Sequence, residues 1–333
     1  MNILNFLLEF IIYKPFKYIF KASTKICVYI NFIKMITICL TKFNNKPWEN
    51  LMMKGFKDAL SSMKSFCNVE EIYGYPKKNY DVIILIGIRL IYKLNLDKNK
   101  IVPFCKKIIE LGDNSMDPRR TYEDAYFYFM PAKEKLYSNY YYLPKFIMDE
   151  YLYPEPREDD TLNVYVDHFH TSKDRDESIR AINKIFRDIN SSDVKMNVFY
   201  HTSQGIEINR LDPEIPEKGI SQCALYIPFE NISYYYRLTD IFLPTHRESQ
   251  GMVAQEIGAC GGITVLQDWM YPETTHYQFP SMFYENNQKI DFLYIKEVLA
   301  NHSKEKMRKH VLQYCGFENF KMKLYNVIKN VIN

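Results

Sequence analysis

Glycine is scarce here, 11 among 333 residues, while tyrosine (28) and phenylalanine (22) are abundant. That bias fits an AT-rich genome as readily as a carbohydrate-stacking surface, so it decides nothing alone. The seven cysteines form no C-x-x-C pair, which excludes the usual structural zinc spacings and a disulfide framework and points to a reducing, cytoplasmic compartment. Charge of one sign is not in excess either. A net charge of +3 with no concentrated basic stripe excludes the electrostatic footprint of a nucleic-acid binder. There is no internal repeat and no low-complexity segment. With 25% charged and 47% hydrophobic residues, the chain is an ordinary folded protein rather than a disordered one.

Long uncharged hydrophobic runs are missing as well. Residues 1–34 begin with an apolar stretch, but Glu9, Lys14, Pro15, Lys17 and Lys21 interrupt it. No run reaches the roughly 20 apolar residues of a spanning helix. Without a basic lead or a small-residue cleavage site the order of regions does not fit a secretory signal. Two readings stay open: an interfacial anchor that places apolar side chains in a lipid headgroup layer, or an extension packed on the protein.

What is present is an alternation of strand-like and helix-like segments, which points to parallel sheets covered on both faces. In a chain of this length two domains are expected. Residues 35–152 form the first, with strands expected at Met35–Leu40, Asp81–Gly87, Ile101–Phe104 and Ala125–Met130 and a helix over Trp48–Lys64. Two prolines and a run of charge mark a linker at 153–161. A second unit, 162–315, opens with a strand at Leu162–Asp167. An amphipathic helix follows over Asp174–Asn190, with Ile179, Ile182, Ile185, Phe186 and Ile189 on one face. A capping pair, Asp174 and Glu177, starts it. Further elements are a strand at Val194–Tyr200, a helix near Ile232–Arg237, a buried strand at Asp240–Pro244, a helix over Gly251–Cys260 closed by Gly261-Gly262, and a strand at Ile263–Leu266. Residues 316–333 carry apolar positions at helical spacing.

The chemistry concentrates between 244 and 261. A strand ending at Pro244 delivers a loop to the carboxyl edge of a parallel sheet, where such sheets bind ligands. Gly251 then opens a helix whose free N–H groups and positive dipole end suit a diphosphate. Glu248 precedes that helix and Glu256 lies inside it; each carboxylate can accept hydroxyl donors such as those of a sugar or ribose. Two glutamates eight apart arise by chance about once in such a chain, and both could be capping and surface charge. Context separates the readings.

Leu243-Pro-Thr245, Glu248-Ser-Gln-Gly-Met-Val253, Glu256 and Ala259-Cys-Gly261 together resemble the group 1 family of retaining GT-B glycosyltransferases. Tyr234-Tyr-Tyr-Arg-Leu-Thr-Asp240 is similar to that family's Tyr-Arg-x-x-Asp approach to the strand. Tyr142-Leu-Pro-Lys-Phe-Ile-Met-Asp149 is similar to its passage into the donor domain. The resemblance implies an α/β GT-B fold: two Rossmann-like domains facing a cleft, the first abbreviated, with the C-terminal helix packing back on that first domain. It implies that Glu248 contacts the donor sugar, that Glu256 contacts the ribose, and that the Gly251-Met252 backbone covers the diphosphate, with Val253 and Thr245 also donor-binding and with Glu248 and Lys173 as the catalytic residues. It further implies that His168, where the family has Arg, and Lys173, five residues later, touch the diphosphate. Lys173 reads equally as a solvated helix-start lysine and His168 as a structural strand end; His170, His246 and Arg247 are open in the same way. The implied activity is transfer of a sugar from a nucleotide-sugar donor to a glycan, lipid-linked or other hydroxyl acceptor, with retention, no metal cofactor and no nucleic-acid partner.

Differences from the family gather in the first half. Thr41-Lys-Phe-Asn-Asn-Lys-Pro47 stands where a glycine-rich turn is usual, and Asp113-Asn114 where a histidine is frequent. They leave room for a non-catalytic relative serving as a membrane-associated partner subunit. Asp174-Arg-Asp176 is a D-x-D triplet, the metal-binding signature of the other major transferase fold; opening a helix rather than ending a strand, it reads more simply as acidic charge in a first turn.

Overall fold

The computed structural model describes residues 35–43, 47–86, 96–111, 125–128, 140–143, 146–147, 150–156, 159–169, 175–202, 220–223, 229–245, 252–267, 281–285 and 288–332. Residues 1–34 lie outside them. Among the described residues no helix is long and apolar enough to cross a membrane.

Two sheets, each of six parallel strands, organise the chain. The first contains β1 (Ile36–Lys42), β2 (Cys67–Tyr73), β3 (Tyr80–Leu85), β4 (Cys105–Leu111), β5 (Ala125–Tyr128) and β6 (Tyr140–Tyr142), in the order β2-β1-β3-β4-β5-β6. Val82 to Ile86 are fully buried, as a central strand covered on both faces requires. Helix α1 (Pro47–Ser61) joins β1 to β2 and buries Met52, Met53, Phe56, Ala59 and Leu60, a stripe at helical spacing. Ile101–Phe104 is not the strand expected from its apolar run. Val102–Phe104 forms a 3₁₀ turn with Pro103 inside it; proline has no N–H to give a ladder, and pairing starts only at Cys105.

The second sheet contains β7 (Leu162–Phe169), β8 (Met196–Thr202), β9 (Ile220–Cys223), β10 (Ile241–Leu243), β11 (Ile263–Gln267) and β12 (Ser281–Tyr284). Its order is β12-β11-β10-β7-β8-β9. Counted from β7, that is the 3-2-1-4-5-6 order of a dinucleotide-binding unit, with its topological reversal between β7 and β10. In the first sheet the reversal falls between β1 and β3, after two strands rather than three. Helices α2 (Arg175–Asn190), α3 (Phe229–Leu238), α4 (Met252–Ala259), α5 (Phe292–Ala300) and α6 (Lys304–Cys315) accompany the second sheet, and α7 (Phe317–Ile332) ends the chain.

Strand β7 shows how the faces divide. Leu162, Val164 and Val166 join the core that contains Ile182, Ile185 and Phe186 of α2, while Tyr165 joins the core that contains Ala254 and Ile257 of α4 and Val311 of α6. This two-residue alternation is the pleat made visible. Helix α7 belongs elsewhere: Phe320, Leu324, Val327, Ile328 and Val331 share a core with Ile38, Leu40 and Ile84 of the first sheet and Phe56 of α1. The Phe320 ring stands 5.1 Å from Phe56 and 4.7 Å from Phe146. Gly55 permits the Phe146 approach, since a Cβ there would fall 1.9 Å from the ring. The chain passes between the halves at 146–147 and again at 315–317, and Ile147 N donates to Cys315 O at 3.0 Å.

Candidate functional site

The reversal between β7 and β10 places the carboxyl ends of these two strands side by side, with Val166 opposite Leu243. Beyond that pair β7 runs on through Asp167, His168 and Phe169, and β10 continues into Pro244 and the fully buried Thr245. Helix α4 begins at Met252, seven residues after Thr245, with residues 246–251 as the connection. Helix α2 begins at Arg175, six residues after Phe169. Two helix N-termini thus follow directly from the two strands of the reversal, and both dipoles have their positive ends toward this edge.

Of the residues singled out from the sequence, Thr245, Met252, Val253 and Glu256 are placed around this edge, and His168 lies near the end of β7. Met252 and Val253 are half-buried in the first turn of α4, and Glu256 is 7% exposed. Glu248, Gly251, Lys173 and Asp174 lie outside the described residues, as do His170, His246 and Arg247. Asp176 sits in the first turn of α2 beside Glu177, a place where acidic side chains favour the dipole.

The far end of α4 explains the Ala-Cys-Gly segment. Gly262 N donates to Ile257 O at 3.0 Å and Gly261 N to Gly258 O at 2.9 Å, with Gly261 at φ +89°. This double bond with a left-handed residue is a Schellman close. Gly258 lies where a Cβ would come within 2.9 Å of Val311, and at Gly261 a Cβ would come within 2.4 Å of Lys304. Arg308 donates to Ala259 O at 3.0 Å, and the His302 ring pairs with Gly261 O at 2.9 Å. Helix α4 is therefore pinned at its C-terminus by α6, which sets the height of its N-terminus at the crevice.

Asp240, the acidic end of the Tyr-Arg-x-x-Asp stretch, works away from the crevice. At the amino end of β10 it accepts from Asn163 N at 2.9 Å and from Lys304 at 3.1 Å. Its job is to join β7, β10 and α6.

A residue not anticipated from sequence stands at the floor of the site. Asp167 is 5% exposed and follows Val166 on β7, where the register with β8 shifts; its charge bears on Tyr236 of α3. Its signal was present: an acid closing an apolar strand at a carboxyl edge. Nearby, Tyr165 packs against Tyr236 of α3 with ring centroids 5.4 Å apart and against Phe242, its register partner, at 6.1 Å. Burial drives the Tyr236 phenol well above its ordinary pKa, and Tyr165, Glu256 and Asp167 drive it further. Burial, with Glu256 adding to it, also lifts the Cys260 thiol to about 12. Cys260 stays a neutral packing group.

This pair of parallel-sheet units, with a C-terminal helix returned to the first, has the GT-B architecture. No family model matches the sequence, and no curated protein matches it. Solved structures do. A sucrose-phosphate synthase from Thermosynechococcus elongatus is similar at TM-score 0.63 and 10% identity, over 89% of this chain and 99% of that one. The apo form of the lipopolysaccharide outer core galactosyltransferase WaaB is similar at TM-score 0.62 and 11% identity, over the same shares. A putative UDP-N-acetylglucosamine 2-epimerase from Listeria monocytogenes reaches TM-score 0.56 at 10% identity, over 89% and 96%. At such identities the likeness is one of fold.

Proposed function

We propose that the chain is a glycosyltransferase that holds a nucleotide sugar against the second sheet and passes the sugar to a hydroxyl acceptor, a glycan or lipid-linked molecule, held by the first. The observation that carries this reading is the β7/β10 reversal: its carboxyl edge adjoins the first turn of α4 and buries Glu256, the arrangement a nucleotide needs. The sucrose-phosphate synthase and the galactosyltransferase named above share the architecture, which supports the reading.

The roles follow the resemblance. Glu256 accepts ribose hydroxyls. The backbone N–H groups of Gly251, Met252 and Val253 and the α4 dipole face the diphosphate in this reading, with Thr245 as a further donor-binding residue. By the resemblance, Lys173 brings a cation to the diphosphate and His168 a further contact. As the nucleotide departs, negative charge grows on its phosphate, and fixed donors and a cation stabilise that charge without reorganising. Glu248 orients the donor sugar. Retention and independence of a metal cofactor belong to the same proposal, as does contact of residues 1–34 with a lipid surface.

The test is a thermal-shift screen with UDP, GDP, ADP and their sugars. Stabilisation by one set is expected, and none by any of them would sink the donor assignment. Glu256→Gln should then weaken binding about tenfold, and Glu248→Gln should lower kcat about a hundredfold with little change in affinity. Incubation with the donor alone controls for epimerisation, the chemistry named for the Listeria relative. Turnover that persists in EDTA is the expected result for a metal-independent transfer.

A further inference from the structure

Strands β2 and β3 are joined by a crossover too short to hold a helix. Tyr73 pairs with Lys42 at the carboxyl end of β1, whereas Val82 pairs with Ile38, so residues 74–79 must return almost the full length of the strand before β3 begins. A parallel crossover ordinarily takes a dozen residues or more and a helix; six residues manage it only as an extended strap. The two faces of β2 therefore differ. Val69 joins the core under α1, while Glu70 and Ile72, on the opposite face, line a cleft bordered by the strap. Its volume is about 360 Å³, within the range of ligand clefts, roughly 300–1,000 Å³. It lies on the edge strand, one strand outside the β1/β3 reversal.

The aromatic walls of this cleft are fixed and partly bare. Tyr73 is 66% exposed, yet its hydroxyl donates to Phe43 O at 3.0 Å. The Tyr75 hydroxyl accepts from Asp97 N at 3.1 Å. The Tyr75 ring meets that of Phe43 edge-on at 5.1 Å and carries the Lys100 ammonium 5.4 Å from its centroid. A lone exposed tyrosine needs no explanation, but two rings held in place around one cleft are a preorganised platform. Charge in the cleft is lopsided. Glu70 and Lys78 pair with each other at 2.5 Å, whereas Lys77 is exposed and has no ion-pair partner among the described residues. A pyranose with an acidic group matches all three features: a C–H face for the phenol rings, hydroxyls for the Glu70 carboxylate and an anion for Lys77.

We propose that this cleft is a subsite for an acidic sugar unit, a uronate or a sugar phosphate, with Tyr73 as the stacking residue and Lys77 as the anion contact. The saccharide class rests on the glycosyltransferase reading and deepens it: the unit belongs to the acceptor glycan and is held on the first sheet at a distance from the donor edge. The preference for an anion rests on the cleft itself.

The experiment is ligand-observed saturation-transfer NMR on the full chain, titrated separately with glucuronate, glucose 6-phosphate and glucose. At least one of the two acidic sugars should bind about tenfold more tightly than glucose, and which of them does so tells a carboxylate from a phosphate subsite. Tyr73→Ala should lower that affinity about tenfold, and Tyr73→Phe should keep most of it. Lys77→Gln should bring the acidic sugar to parity with glucose, and Lys77→Arg should keep the preference. Both side chains are exposed, so none of these changes opens a core, and any stabilisation by nucleotide should persist in all four variants. Acidic sugars that bind no better than glucose overturn the inference. So does a preference that survives unchanged in both Tyr73→Ala and Lys77→Gln, because it then belongs to another site. Nucleotide binding without this preference removes the inference alone; the preference, lost in both variants, in a chain that no nucleotide stabilises removes the donor reading and leaves the cleft as a saccharide site.

Discussion

Gln255 is fully buried on α4, and among the described residues neither its Nε2 nor its Oε1 has a hydrogen-bonding partner. An amide buried in that way carries a desolvation penalty of about 1–3 kcal/mol. Gln255→Met, of similar length and without polar atoms, should raise the urea midpoint at unchanged m-value; a lowered midpoint would show that the amide is satisfied in solution. Asp81 illustrates the opposite case. Burial alone would raise its carboxyl, but the Lys106 ammonium at 2.7 Å and the amide and hydroxyl of Thr37, each at 2.9 Å, hold it down to about 2. A carboxyl lowered from 3.8 to about 2 stabilises the fold by about 2 kcal/mol. That stabilisation is complete above pH 3.8 and is lost as pH falls through about 2. The stability gap between wild type and Asp81→Asn, followed by denaturant titration, should therefore be constant near neutrality and close between about pH 4 and pH 2.

At the scale of elements, the cap of α4 separates two properties of glycine. Gly74 and Gly261 both have positive φ, 90° and 89°, but a Cβ at Gly74 meets nothing within 4 Å, whereas one at Gly261 lands 2.4 Å from Lys304 Cβ and 2.8 Å from its Cα. Gly74→Ala should cost about 1 kcal/mol, the left-handed strain alone. Gly261→Ala should cost clearly more, because backbone of α6 must move, and it should weaken nucleotide binding through α4. Equal shifts in the two urea midpoints would refute this account. The same elements show what was legible in the sequence. Strands β7, β10 and β11 and helices α2, α4 and α7 are readable because their apolar residues run together or recur at helical spacing. Strand β2, with Asn68, Glu70 and Glu71 on an edge, lacks that signal. Strands β6, β9 and β12 are three or four residues long, too short for a periodicity. The candidate site was legible in its α4 half, where motif and strand end coincide. Asp167 carried a visible sign, an acid near the end of an apolar strand, whereas Tyr236 on α3 carried none.

For the molecule as a whole, the question is where two sheet units joined by two crossings can bend. The crossings are tied to each other at Ile147 and Cys315, and α7 is sunk in the first core, so α7 moves with the first unit. The linker is fastened too. Arg237 of α3 pairs with Glu155 at 3.2 Å and donates to Tyr151 O at 3.1 Å. Its guanidinium also lies 4.8 Å from the Tyr153 ring and 5.9 Å from that of Tyr234. A planar fork stacked on aromatics and bonded to backbone is a role lysine does not fill. Residues 151–155 are thus fastened to the second unit, and under the proposed donor binding any closure falls to the crossings that precede Tyr151 and follow Cys315. Arg237→Ala should release the linker, so chymotrypsin should cut at Tyr151 or Tyr153 at least several-fold faster, and Arg237→Lys should recover only part of the protection. A saturating nucleotide should slow cleavage in the wild type more than in Arg237→Ala, because closure can be transmitted only through a linker that is held. Equal cleavage rates in all three proteins would mean that the clamp does not set the hinge.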